Sequence, residues 1–366
     1  MKNRMRFAYN LAIGVYVIVA AVAPALSQQA VLTMFSFPTP PDGSSPSGAL
    51  ALGPDGSFYG TCVKGGAYNA GTVFKIAPGG GFTVLHSFTG PDGAFPRGLT
   101  EASDGNLYGV CSAGGAFGGY IGGGHGTAYK ITTAGVFTLL HSFTGGPDGG
   151  QPLSQLVQAS DGNLYGSCSD GGAHGRGTVY AIGPEGTFTV LYSFSGSPDG
   201  SLPTGLTAGS DGSLYGACDE GGANSEGTIY RLTTDGTFTL LYTFSGSANG
   251  ANPDSALTQG SDGSLYGSCS GGGANGAGTL FKISTSGALT LLHSLNGPVD
   301  GTGPNGLMQA ADGSFYGTCR QGDANGLGTA FTITGAGTFT VLYTFTGPTD
   351  GANPDTALTQ GPDGRL

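Results

Sequence analysis

Apolar residues in this chain come in short runs separated by Gly, Pro and Asp, and the runs recur about every 50 residues. One unit reads L-x4-D-G-[SN]-[LF]-Y-G-x-C, then a Gly-rich loop, then G-T-x-[FY], and finally [FL]-T-[VL]-L-[HY]-[ST]-[FL]. Each unit offers four strand candidates, because these runs are rich in aromatic and β-branched residues and are bounded by turn residues. A tight type I′ turn is expected at each Asp-Gly pair. No window keeps a 3.6-residue period, so almost no helix is expected.

Four antiparallel strands per repeat, repeated many times, predict a β-propeller. A unit with so few large apolar residues cannot bury a core alone and must stack its sheet on the next one. The first-strand and fourth-strand motifs each occur seven times, whereas the second and third occur six times. The sequence therefore predicts an all-β fold, a β-propeller of about seven four-stranded blades, with the seventh split between the termini and lacking its two middle strands.

The predicted propeller is one domain over residues 28–366. The expected blades cover approximately 48–96, 97–152, 153–203, 204–253, 254–304 and 305–354, with a split blade from 30–46 plus 355–366. The chain stops at Leu366, where the next Tyr-Gly pair would follow. This favours a truncated chain or gene model, and an open ring with one damaged blade is the alternative.

The first 27 residues have the pattern of a secretory signal peptide. Lys2, Arg4 and Arg6 precede an apolar run from Leu11 to Ala23, and small residues before Ser27 favour cleavage after it. An uncleaved anchor is the alternative, although the run is short of the ~20 residues of a membrane span. We therefore expect a secreted, periplasmic or cell-surface protein with no transmembrane segment after cleavage.

The charge of the chain excludes nucleic acid as an expected partner. Three of the 12 basic residues lie in the predicted signal peptide, which leaves nine against 23 acidic residues, a net charge of −14. Such a surface repels phosphate backbones. A monomer that contacts a glycan or a cell-envelope protein is expected instead.

The motifs D-G-N-L-Y-G, G-T-x-F-K-I and L-H-S-F-x-G-x-x-D-G-x-x-P follow one another here over roughly residues 30–366. In this order they resemble the GloVer (Gloeo/Verruco) tandem-repeat family, the choice-of-anchor exported proteins. The resemblance implies an exported bacterial protein of unassigned activity, often with a C-terminal anchoring segment. The chain departs from the family in carrying Cys where Tyr-Gly-Thr-Thr is common, and the resemblance brings no catalytic residue.

Repeated polar residues are interpreted as structural. The six cysteines occur one per repeat, and equivalent blade positions ~10 Å apart are too distant for disulfides, so buried free thiols are expected. The Asp or Asn of each loop between blades is expected to close its turn, although a Ca²⁺-binding ring is an alternative. His and Tyr alternate at one fourth-strand position, which indicates packing. No metal, cofactor or catalytic residue is assigned.

Departures from the repeat are the candidates for function. The largest is a six-residue longer loop in the second blade, and we predict ligand contacts there from Phe117, Tyr120, Ile121 and His125. A neutral insertion covering the axial opening is the alternative. The favoured function is a non-catalytic binding or surface-scaffold module. The other hypothesis is an exported lyase or hydrolase with a site at the axial mouth, for which the candidates are His125, His174, Arg176, Glu226, Arg320 and Asp323.

Overall fold

The computed structural model describes residues 42–118, 122–322, 326–347, 350–361 and 364, together with two short strands near the N-terminus. These strands, β1 (Gly14–Val15) and β2 (Phe35–Ser36), pair antiparallel. The rest of the predicted signal peptide lies outside the described residues.

Six antiparallel sheets follow one another along the chain. The first three blades contain the strands β3 (Ser44–Leu52), β4 (Phe58–Lys64), β5 (Thr72–Ile76) and β6 (Phe82–Ser87); β7 (Ala94–Glu101), β8 (Leu107–Ala113), β9 (Thr127–Ile131) and β10 (Phe137–Ser142); and β11 (Val157–Gln158), β12 (Leu164–Cys168), β13 (Thr178–Ile182) and β14 (Phe188–Ser193).

The next three blades have the same strand order. They contain β15 (Ser201–Ala208), β16 (Leu214–Glu220), β17 (Thr228–Leu232) and β18 (Phe238–Thr243); β19 (Thr258–Gln259), β20 (Leu265–Cys269), β21 (Thr279–Ile283) and β22 (Leu289–Ser294); and β23 (Thr302–Pro304) and β24 (Met308–Gln309), which both pair with β25 (Phe315–Gln321), then β26 (Thr329–Ile333) and β27 (Phe339–Thr344). Within the described ranges the helical content is α1 (Gly297–Asp300).

The hydrophobic core lies between the blades. One cluster joins Tyr165 and Phe194 of the third blade to Leu214 and Tyr230 of the fourth, and all four side chains are buried. Equivalent clusters join the other consecutive blades from the first to the sixth. The stacking of neighbouring sheets predicted from the repeat is therefore what buries the apolar side chains.

The hairpin turn of each blade differs from the expected type I′ turn. Gly56 has positive φ but Asp55 does not, whereas a type I′ turn needs positive φ at both. The N–H of Gly56 donates to the carbonyl of Gly53, and the Asp55 carboxylate accepts from the N–H of Ser57 at 3.0 Å. The prediction was wrong because the Asp side chain stabilises the turn by hydrogen bonds without adopting the left-handed conformation itself.

The number of complete blades is six, and the seventh blade is not confirmed. Residues 350–361 form no strand, yet they contact both ends of the ring. The Thr359 hydroxyl donates to the carbonyl of Leu50 in the first blade at 3.3 Å, and the N–H of Ala311 in the sixth donates to the Gln360 side chain at 3.1 Å. Over the described part of the chain, no helix is long and apolar enough to cross a membrane.

Candidate functional site

Two sets of loops meet on one face of the propeller, which we call the loop face. The loop after the second strand of a blade hydrogen-bonds to the loop that leads into the same blade from the preceding one. In the second blade the N–H of Gly115 donates to the carbonyl of Gly90 at 2.9 Å, and in the fourth the N–H of Gly222 donates to the carbonyl of Gly196 at 2.8 Å. Loops that depart from the repeat are thus displayed together on this face.

The repeated Asp of the loops between blades acts as a turn residue, as predicted. Asp199 is buried and accepts hydrogen bonds from the N–H and hydroxyl of Ser195 and from the Tyr192 hydroxyl, the last at 2.9 Å. The equivalent His141 ring contacts Asp148 at 3.1 Å. These carboxylates accept hydrogen bonds from their own loops and from the preceding strand. No cluster of three or more metal-ligating side chains occurs among the described residues.

The repeated cysteines are buried and free, as the repeat geometry predicted. Burial raises the pKa of the Cys62 thiol to about 12, and it raises the pKa of Cys218 well above its usual range. A thiol that stays protonated at neutral pH is a poor nucleophile and a poor metal ligand. The cysteines therefore pack as small apolar residues between the sheets.

The predicted ligand contacts of the second-blade loop are only partly brought together. Phe117 projects from the loop with 59% of its surface exposed. His125 is half-buried, its ring lies directly over Gly145, and its carbonyl accepts from the N–H of Gln151 at 2.8 Å. Tyr120 and Ile121 lie outside the described residues.

A comparison of equivalent loop positions sets Phe117 apart from a structural residue. In the fourth and fifth blades this position is Asn, and the amides of Asn224 and Asn275 donate to carbonyls at the end of the fourth strand, at 2.8 and 3.0 Å. In the first three blades it is Tyr68, Phe117 and His174 instead, and all three are exposed. None of these three side chains forms the loop-closing bond among the described residues, so these blades carry an exposed aromatic ring in place of the structural amide.

The residues that the enzyme hypothesis names lie in two different places. Arg176 and Glu226 lie against Gly196 and Gly246 in the loops that lead into the next blades. Arg320 instead follows the buried Cys319 and is exposed near the inner strands. Asp323 lies outside the described residues.

Charged side chains gather around Arg320 at the loop-face end of the inner strands, which we call the axial mouth. Asp254 and Asp355 are exposed to solvent there. Desolvation, reinforced by the negative charge of Asp219, raises the pKa of Asp254 to about 6 although Arg320 opposes the shift. Desolvation also raises the pKa of Asp355, against the positive charges of Arg320 and Arg97.

Sequence reasoning identified Arg320 but missed Arg97, Asp219, Asp254 and Asp355. These residues are far apart along the chain, and they come close together only because the blades form a ring. A signal did exist, because Arg97, Asp254 and Asp355 each follow the repeated Pro of a blade. A comparison of the blades shows that the residue type after the repeated Pro changes from one blade to the next.

Comparison with solved structures supports the fold. The chain superposes on the extracellular domain of a putative hybrid two component system from B. thetaiotaomicron with a TM-score of 0.60 and 9% identity, covering 88% of this chain and 36% of that one. It superposes on a putative 6-phosphogluconolactonase from Bacteroides uniformis with a TM-score of 0.56 and 15% identity, covering 89% and 94%. Identities this low show the propeller fold alone.

Comparison with families is more specific. No curated protein matches the chain. The model of the Gloeobacter/Verrucomicrobia repeat matches three overlapping segments, residues 18–209, 118–299 and 185–366. These segments cover the six blades and the residues that close the ring. The chain belongs to the Gloeobacter/Verrucomicrobia repeat family.

Proposed function

We propose that the protein is a non-catalytic binding propeller whose loop face holds a glycan chain. The observation that carries the proposal is the replacement of loop-closing Asn by Tyr68 and Phe117, with 55% and 59% of their surfaces exposed. Flat aromatic rings cover the C–H faces of sugars at little entropic cost, because each ring has only two side-chain torsions. The two rings occupy equivalent positions on adjacent blades, which suits an extended ligand more than a single sugar.

A glycan array with matched variants tests this proposal. Tyr68→Asn and Phe117→Asn introduce the residue that the fourth and fifth blades already carry there, so each variant gains a loop-closing hydrogen bond and its fold is retained. We expect the double variant, and a deletion of residues 117–125, to lose array signal at least about tenfold, since exposed aromatic anchors contribute much of such binding. Equal signal from wild type and both variants would remove this surface from consideration.

The rival function, an exported lyase or hydrolase, is favoured by one observation. Asp254 carries a pKa of about 6 beside an arginine at the axial mouth, and perturbed acids of this kind are common in active sites. Turnover of glycosides or lactones by the wild type, lost in Asp254→Asn, would support the enzyme. Retained turnover in that variant would exclude Asp254 as its acid.

We also propose export and a seventh inner strand. The N-terminal signal pattern supports export, as does the likeness to extracellular propeller domains. The hydroxyl bond from Thr359 to Leu50 repeats the bond from Thr100 to Leu156 between the second and third blades, which supports a seventh inner strand over residues 354–361. N-terminal sequencing of the secreted protein tests export. The thermal stability of a chain lacking residues 354–366 tests the seventh inner strand, and an unchanged Tm would contradict that strand.

A further inference from the structure

In two blades the residue after the repeated Pro hydrogen-bonds to the next blade, and in the described part of the chain Arg97 of the second blade does not. In the fourth blade the Thr204 hydroxyl, after the repeated Pro, donates to the carbonyl of Pro253 at 3.5 Å. In the sixth, the Asn305 amide donates to the carbonyl of Pro354 at 2.7 Å. The second blade has Arg97 at this position, and its Nε is buried with no hydrogen-bond partner among the described residues. Desolvation lowers the pKa of this guanidinium, and the negative charge of Asp355 only partly opposes the shift.

Alternate blades also differ in the number of residues between the repeated Pro and the following Leu. The motif P-x-G-L of the second, fourth and sixth blades becomes P-x-x-x-L in the others, with one more residue before the Leu. The strand register shifts within this stretch in both kinds of blade. The residue after Pro is exposed in the later copies, where it is Leu153, Asp254 or Asp355. The extra residue therefore places one apolar and two acidic side chains at the axial mouth.

A third departure supplies the second arginine. The residue after the repeated Cys is Ser in three blades, and the hydroxyls of Ser169 and Ser270 donate to carbonyls of the preceding loop at 3.0 and 3.1 Å. In the sixth blade that position is Arg320, and in the fourth it is Asp219. At the axial mouth, charged side chains therefore take the place of the serine hydroxyl that bonds to the preceding loop in other blades.

These charges are close but not joined. Arg97 interacts electrostatically with Asp355, and Arg320 with both Asp254 and Asp355. No ion pair within 4.0 Å joins them among the described residues. Desolvated groups that interact across a gap favour a molecule that hydrogen-bonds to both signs of charge.

We propose that the axial mouth is a binding site for a neutral polyhydroxylated molecule, such as a single sugar unit. Arg97 and Arg320 donate hydrogen bonds to its hydroxyl oxygens. Asp254 and Asp355 accept from its hydroxyl groups. Leu153, with 46% of its surface exposed, covers a C–H face.

Charge balance selects a neutral ligand over an ionic one. Each guanidinium already has a carboxylate neighbour, so an anion next to Arg97 would also face Asp355. A hydroxyl both donates and accepts, so it fits between groups of opposite sign. This site uses inner-strand residues and does not depend on the aromatic rings of Tyr68 and Phe117, so it can exist whether or not the loop face binds glycans.

The repeat itself provides variants that separate binding from folding. Arg97→Thr introduces the residue of the fourth blade, and Arg320→Ser introduces that of the third and fifth blades. The intact protein is titrated calorimetrically with glucose, galactose, mannose and N-acetylglucosamine. We expect the wild type to bind at least one of them, and each variant to bind it about tenfold to a hundredfold more weakly, as for lost hydrogen bonds to charged groups. The Tm of Arg97→Thr is expected to be unchanged or higher, because a buried unpaired donor is removed.

The matched control is Arg231→Thr, which removes an arginine from the third strand of the fourth blade, where the sixth blade carries Thr332. Its affinity is expected to equal that of the wild type. Failure of the wild type to bind any of the four sugars would overturn the proposal, as would binding of glycine or CaCl₂ in their place. Sugar binding that survives both Arg97→Thr and Arg320→Ser would also overturn it. If the protein binds a sugar in these titrations but gives no signal on the glycan array, the glycan-chain proposal for the loop face fails and the axial-mouth proposal stands.

Discussion

The interface between the third and fourth blades and the boundary between the sixth and first blades are built from the same motif but differ in burial. The first has eight buried side chains in one cluster drawn from both blades. At the second, the described residues of the first blade bury Cys62, Phe74 and Ile76 in one cluster, and those of the sixth bury Ala310 and Tyr316 against the partly buried Leu358. Among the described residues, the cluster that draws on two complete sheets is therefore larger than those at the boundary, as expected of stacked repeats.

Ring stacking adds to the apolar burial of the complete interfaces. The His or Tyr of the fourth strand stacks on a Phe of the next blade, as His141 does on Phe188 at 3.9 Å and Tyr192 on Phe238 at 4.2 Å. The same side chains hydrogen-bond to the Asp of the following loop. Four of the five complete interfaces thus combine apolar burial, ring stacking and a carboxylate. The interface between the fourth and fifth blades has Leu289 and Asn249 in place of the Phe and the Asp.

Truncation of a core leucine in each region should give the largest difference. Leu214 is fully buried between the third and fourth blades, so Leu214→Ala should lower the free energy of unfolding by about 2–5 kcal/mol. Leu358 is partly exposed, so Leu358→Ala should lower it by about 1 kcal/mol or less. Urea unfolding of both variants measures this, and equal losses would show that the boundary is as well packed as the interface.

A smaller effect is expected from the buried tyrosines of the middle blades. The hydroxyls of Tyr129, Tyr180 and Tyr230 are buried without a partner among the described residues, whereas the other three blades have Phe at this position. Tyr180→Phe should raise the free energy of unfolding by about 1 kcal/mol, because an unsatisfied buried hydroxyl is removed.

The control for this substitution is Tyr165→Phe. The Tyr165 hydroxyl donates to Asp161 at 2.6 Å, so its removal should lower the free energy of unfolding by about 1 kcal/mol. Urea unfolding distinguishes the two. The interpretation fails if both variants change stability in the same direction.

The smallest effect is a pH-dependent one at the axial mouth. The pKa of Asp254 is about 6 in the folded protein, above its ordinary value, so the folded state binds this proton more tightly than the unfolded state. The contribution of Asp254 is therefore unfavourable above pH 6 and is relieved as the pH falls towards 4. Asp254→Asn should raise Tm at pH 7.5, and the gain should disappear by pH 4. A gain that does not vary with pH would contradict the assignment.

Most of the fold could be predicted from the sequence because every blade repeats the same local signals. The strands around Tyr165 and its equivalents, the buried free cysteines and the turn role of Asp199 follow from one unit compared with the next. The Asp-Gly hairpin was predicted with the wrong turn type, since the dipeptide alone does not reveal that the Asp55 carboxylate accepts from the chain two residues later.

The candidate sites were harder to predict. Phe117 could be identified because a loop insertion is visible in the sequence. Arg97, Asp254 and Asp355 could not be grouped by position along the chain, since blades far apart in sequence bring them together around one axis. Their departure from the repeat was visible, but their convergence was not.

The measurement that most directly tests the account is the ¹H–¹⁵N spectrum of a single blade, residues 201–252, produced in isolation. The account attributes burial of Tyr230 and Leu214 to the sheet of the preceding blade, so it predicts narrow amide dispersion and no cooperative thermal transition. A dispersed spectrum with a sharp unfolding transition would show that one blade holds its own core, and it would contradict the claim that neighbouring sheets stabilise one another.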